Sequence, residues 1–169
     1  MARPQKRKPY MKRWSRNLGE TKMLDALRRL FSRRPGPVNR DIDPQVAAAA
    51  LLVQAALVDG VYANLESDQI AEILLDSLGL DADRVDEVLE QGEELAEEAT
   101  GAHEFTHQVK KLPLLERVRV IEGLYLVSMA DGAACKFEEA FIRHVASLLH
   151  VDDIRRAQAR RRAESRQPR

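Results

Sequence analysis

Ala47-Ala48-Ala49-Ala50-Leu51-Leu52-Val53-Gln54-Ala55-Ala56-Leu57-Val58-Asp59-Gly60, followed six residues on by Glu66, returns 72 residues later as a run through Leu124 to Met129-Ala130-Asp131-Gly132 and Glu138. Leu52 then matches Leu124, Leu57 matches Met129, Leu65 matches Phe137, Ile70 matches Ile142 and Ile73 matches Val145. Apolar positions and acidic positions recur together, so the repeated object is a packing unit as well as a motif. Each copy reads as a helix, a glycine-bearing junction and a second helix. No segment alternates convincingly as a strand, and the eight aromatic residues leave a core built from Leu, Ile, Val and Ala. The sequence therefore predicts an all-α fold: a pseudo-two-fold helical bundle of about seven helices, with related hairpins facing one another and basic, partly disordered ends.

Charge is segregated along the chain although its formal sum is zero. Residues 1–40 hold 13 Lys/Arg against Glu20 and Asp25, residues 41–152 hold 7 against 23 acids, and residues 153–169 hold 7 against Asp153 and Glu164. Basic ends thus flank an acidic middle. Such blocks suit an anionic membrane, nucleic acid or the protein's own acidic core as partner, or they stand solvated without one. A single cysteine, Cys135, excludes an intrachain disulfide and fits a reducing compartment. The run Val46–Val58 is 13 residues long, short of the roughly 20 that a membrane span needs. With no secretory leader pattern at the N-terminus, a cytoplasmic location is expected, with the basic N-terminal segment allowing a peripheral one at the inner membrane face.

Residues 1–22 lack the apolar side chains to offset chain entropy and are expected to be a disordered tail. Residues 23–34 place Leu24, Leu27, Leu30 and Phe31 on one stripe beside Arg28, Arg29, Arg33 and Arg34, a short amphipathic helix. Pro35-Gly36-Pro37 opens a linker over 35–42, and the helical domain is expected over 43–163, leaving 164–169 as a disordered tail. Asp43-Pro44 predicts a helix start. Gly79 predicts a stop, and Asp81 predicts the next cap. The helix after Asp81 has Val85, Val88, Leu89, Gly92, Ala96 and Ala99 inward, and Asp83, Asp86, Glu87, Glu90, Glu93, Glu94, Glu97 and Glu98 outward as a solvated face or a surface for a basic protein partner. A short helix from His103, a longer one from Pro113, one from Glu138 to Leu149 and an Arg-rich one capped by Asp152 complete the reading.

At each junction the Asp follows a helix C-terminus, where the helix dipole disfavours a carboxylate by about 0.3–1 kcal/mol. Two explanations compete. Asp59 and Asp131 can accept amide hydrogen bonds from the start of the following helix, or the pairs Asp59/Glu66 and Asp131/Glu138 can supply oxygens to a divalent ion, with calcium, magnesium, manganese and zinc all open. Neither loop has EF-hand spacing.

With these residues in view, the chain resembles the TerB-like tellurite-resistance family over about residues 24–160. The resemblance rests on the alanine-rich run ending at Asp59-Gly60, on Phe105-Thr106, and on Glu116-Arg117 through Met129-Ala130-Asp131-Gly132. It implies an all-helical, pseudo-symmetric cytosolic module connected with tellurite and stress responses, with divalent-metal binding proposed, and akin to the N-terminal part of a membrane-anchored co-chaperone. Asp59, Glu66, Asp131 and Glu138 match its acidic positions. The chain departs at Val58, where the family usually has Ala, and at Ala133-Ala134-Cys135, where polar residues are commoner.

His103-Glu104-Phe105-Thr106-His107 spells the zincin pattern, in which two imidazoles one helical turn apart bind zinc and the Glu activates water. That chemistry also requires a third ligand and a cleft, and neither is visible in the sequence. Phosphate-binding glycine loops, nucleophile elbows and cysteine pairs are absent. A non-catalytic binding module is therefore expected, with an electrostatic adaptor for anionic membrane or nucleic acid, through Tyr10, Trp14 and the surrounding Lys/Arg, as the alternative and zinc-dependent hydrolysis as a third reading.

Overall fold

The computed structural model describes residues 42–58, 67–99, 101–129 and 136–166. The expected tail over 1–22, the amphipathic helix over 23–34 and the linker up to residue 41 lie outside the described residues. Among the described residues there are seven helices and no strand: α1 Pro44–Val58, α2 Ser67–Leu78, α3 Ala82–Glu98, α4 His103–Val109, α5 Leu114–Ser128, α6 Lys136–Leu148 and α7 Asp153–Arg166. The all-helical bundle expected from the sequence is the fold observed.

Helix α1 begins where the sequence places it. The Asp43 carboxylate accepts the Gln45 amide at 2.8 Å, its carbonyl accepts the Ala47 amide at 2.9 Å, and Pro44 occupies the first helical position. Residues 47–53 are at most 1% exposed, so α1 is apolar all round because it is enclosed all round. It packs on α3, α4 and α5 and also touches α2. Helix α5 is the second central element, packing on α7, α2, α1 and α6. Each central helix thus lies against the third helix of its own set, α1 on α3 and α5 on α7.

Small residues set how near those helices come. A Cβ added at Gly92 of α3 would stand 2.8 Å from Ala49 Cβ, 3.0 Å from the Ala50 nitrogen and 3.1 Å from the Ala49 carbonyl carbon. The alanine run of α1 and Gly92 of α3 are therefore two sides of one close backbone approach. On the other side of the bundle, Ala159 and Ala163 of α7 are fully buried. Van der Waals contact along these seams, together with Leu51, Leu52, Ile70, Leu74, Phe105, Ile121, Leu124, Ile142 and Leu149, forms one continuous core.

The likeness of the two sets extends past the motif to the next turn. Gly79 ends α2 at φ +61°, donating its amide to Leu75 O at 2.9 Å. His150 ends α6 at φ +53°, and the following Val151 amide reaches back to Ala146 O at 2.9 Å. A buried apolar residue then follows, Leu80 or Val151, and after it an aspartate at the start of a helix. Asp152 caps α7 through its carboxylate, which accepts the Arg155 amide at 2.8 Å. Asp81 stands at the expected cap position, yet its carboxylate makes no capping bond; its carbonyl accepts the Arg84 and Val85 amides instead. Helix α7 continues to Arg166, three residues beyond the expected domain end at 163. The i,i+4 pair Arg160–Glu164 and the reach of Arg166 to Asp76 and Glu122 hold that last turn in the helix, while residues 167–169 lie outside the described residues.

Candidate functional site

The two junctions link corresponding helices in chain order. One joins the end of α1 at Val58 to the start of α2 at Ser67, the other joins α5, closed by the Met129 amide on Tyr125 O at 3.0 Å, to α6 at Lys136. In both cases the joined helices pack on one another. Asp59, Glu66, Asp131 and Cys135 lie outside the described residues. Glu138 stands in the first turn of α6 by its backbone, with its side chain likewise outside them. Among the described residues no three His, Cys, Asp or Glu side chains gather to hold a metal ion.

What flanks the second junction is built from partners the sequence reading did not anticipate. Glu139, the residue after Glu138, accepts from Arg156 at 2.6 Å and from Arg160 at 3.2 Å, and the Tyr125 hydroxyl donates to it at 3.3 Å. Arg156 also donates to the Tyr125 oxygen at 3.0 Å and to Asp153 at 3.1 Å. One polar knot therefore ties the end of α5, the first turn of α6 and the first half of α7. Burial pushes the Tyr125 phenol above its ordinary value, and the neighbouring Glu139 charge adds to this. Desolvation alone would lower the Arg156 pKa, but hydrogen bonds to Tyr125 and Asp153 and the charge of Glu139 outweigh it and raise it. At the other end of α6, Arg117 of α5 donates to Leu149 O at 2.6 Å. Deeper in α5, Glu122 is 5% exposed and meets Arg162 at 2.7 Å and Arg166 at 3.5 Å. The basic C-terminal block is thus largely engaged with the domain's own acids. Pairings 14 to 90 residues apart, such as Tyr125–Glu139 and Asp76–Arg166, leave no periodic signal in a sequence.

A groove of about 730 Å³ runs between the end of α2, α5 and α7, with Arg119, Arg155, Arg162 and Arg166 along it and Leu115, 63% exposed, at its edge. The carboxylate face of α3 is as the sequence predicts. Asp83, Asp86, Glu87, Glu90, Glu94, Glu97 and Glu98 are exposed and Glu93 is half-buried, while Val85, Val88, Leu89, Gly92 and Ala96 are buried.

The zincin-like stretch forms α4, seven residues long. Phe105, Thr106, Gln108 and Val109 face the core, whereas His103 and His107 are exposed, and no third ligand is grouped with them among the described residues. The spacing expected for a histidine pair is present, and among the described residues the convergent ligand set that zinc hydrolysis requires is not gathered around it. No helix among the described residues is long and apolar enough to cross a membrane.

Comparison with protein-family models gives a match to one described as tellurite resistance protein TerB, over residues 45–161. The matched span starts with α1 and ends within α7, so it takes in both junctions and the polar knot. Comparisons with curated proteins and with solved structures give no match.

Proposed function

Because the chain belongs to the TerB tellurite-resistance family, we propose that it is a non-catalytic helical module acting by binding, in tellurite resistance or a related stress response. In this reading Asp59 with Glu66 and Asp131 with Glu138 take a divalent ion at the two junctions, and a basic protein partner meets the carboxylate face of α3. The observation that supports it is the family match across both junctions, joined to the repeat of Asp-Gly and Glu at equal spacing. Hard divalent ions prefer carboxylate and carbonyl oxygens, which a helix end, a turn and the next helix start can present together. Titration calorimetry of the full chain with calcium, magnesium, manganese and zinc tests it. Micromolar binding of at least one ion, lost in the Asp59→Asn/Asp131→Asn variant, is expected; no binding, or binding unchanged in that variant, refutes the ion role.

A further inference from the structure

We propose that α7 is a strap, which lifts from the bundle as a unit while the other helices stay folded, and that charge is what holds it down. Its apolar contribution to the core is small. Within Asp153–Arg166 the buried residues are Ala159 and Ala163, and the one large aliphatic side chain, Ile154, is 72% exposed. Helix α6, of nearly equal length, buries Phe141, Ile142, Val145 and Ala146. Two methyl groups remove far less surface from water than those four side chains do. Helix α7 also packs chiefly on one neighbour, α5.

Arginines supply the rest of the attachment. Helix α7 carries six of them against Asp153 and Glu164, and four reach acids on three other helices. Arg156 and Arg160 meet Glu139 of α6 at 2.6 and 3.2 Å, Arg162 and Arg166 meet Glu122 of α5 at 2.7 and 3.5 Å, and Arg166 meets Asp76 of α2 at 3.2 Å. The side chains of Arg160, Arg162 and Arg166 are half-exposed, a setting in which ion pairs hold weakly and salt screens them. Lifting α7 returns its arginines, Glu122 and Glu139 to water together, so opening strands no charge in an apolar site. A helix with so few buried apolar contacts opens at a lower free energy than the core beneath it. Opening bares α5 at Tyr125, whose hydroxyl oxygen accepts from Arg156, and frees the first turn of α6 from Arg156 and Arg160. The strap thereby makes access to that face of α5 depend on ionic conditions.

The test is native-state amide hydrogen exchange of the full chain, read by NMR at about 0.05 M and about 0.5 M KCl. Relative to intrinsic rates, the amides of residues 157–163 should exchange about 100-fold faster than those of residues 121–125 in α5. At the higher salt α7 should exchange several-fold faster again, with α5 unchanged. Glu122→Gln and Glu139→Gln should each speed exchange in α7 and weaken its response to salt, while protection of α5 shows that the bundle is intact. Exchange of α7 no faster than that of α5 overturns the proposal, because the helix then opens only with the whole fold. Faster exchange that ignores both salt and the two variants overturns it as well, by assigning the attachment of α7 to Ala159 and Ala163 alone.

Discussion

Replacing Gly92 by alanine should destabilise the fold even though alanine is the better helix former. In an exposed helix interior the exchange would gain about 1 kcal/mol from propensity. At Gly92 the new Cβ would meet Ala49 Cβ at 2.8 Å, whereas carbon atoms attract best at about 3.5–4.0 Å, a shortfall of roughly 0.7–1.2 Å. Two of the three nearest atoms belong to the α1 backbone, which cannot turn aside as a side chain can. The helices must part along the seam that joins α1 to α3, and overpacking of this kind costs about 1–3 kcal/mol, occasionally more. Burial of α1 on every side leaves it no free direction in which to move. A net loss of about 1 kcal/mol is expected, lowering Tm by roughly 2–4 °C for a chain of this size. Urea unfolding followed by circular dichroism at 222 nm reads it directly. Gly123→Ala is the control, because its added Cβ meets side-chain ends, Ser77 Oγ at 3.1 Å, Leu52 Cδ2 at 3.2 Å and Ile73 Cγ2 at 3.3 Å, which can shift by tenths of an ångström. Gly92→Ala gaining stability, or losing no more than Gly123→Ala, would refute the close-approach reasoning.

His150→Gly should raise stability by about 1 kcal/mol in the same unfolding assay, since a non-glycine residue at φ +53° is strained by about 1–2 kcal/mol and glycine returns part of that as chain entropy; a loss would contradict the turn assigned to it. The Asp152 carboxyl is held below its ordinary pKa chiefly by the Arg155 amide, so its contribution is present at neutral pH and disappears as pH falls below about 3.9 and through the folded-state value. Asp152→Ala should therefore be less stable than wild type at pH 7, by a margin that narrows as the pH is lowered; a deficit that does not change with pH would show that the carboxylate's charge is irrelevant. A double-mutant cycle of Glu139→Ala and Arg156→Ala should give a coupling of about 1–3 kcal/mol, the pair being only 25% and 13% exposed, and a value near zero would remove the polar knot from the account.

The helices were legible because their signals are local. Asp43-Pro44 marks the start of α1, Gly79 the end of α2, and the spacing of Val85, Val88, Leu89, Gly92 and Ala96 gives the inner face of α3, all as observed. His150 was not legible, since nothing in a histidine announces a left-handed turn; only its alignment with Gly79, once the helix ends are known, reveals it. The Arg-rich last helix was legible but its partners were not, because charge alone cannot say which acids lie within reach, and Glu122 and Glu139 are brought to α7 by the packing of the bundle. Phe105 and Val109 were identified as inward, and the same helical geometry turns His103 and His107 outward. Of the four junction acids, only the backbone position of Glu138 falls among the described residues.

The central claim, ion binding at the repeated acids, is tested most directly by thermal unfolding of the full chain with and without the ion that calorimetry selects. Ion at 100 times its Kd should stabilise the native state by about 2.7 kcal/mol for each junction it occupies, because it binds the folded junctions and not the unfolded chain. Asp59→Asn/Asp131→Asn should unfold at one temperature whether the ion or a chelator is present. A wild-type Tm that ignores the ion, or a variant that responds as wild type does, would contradict the account.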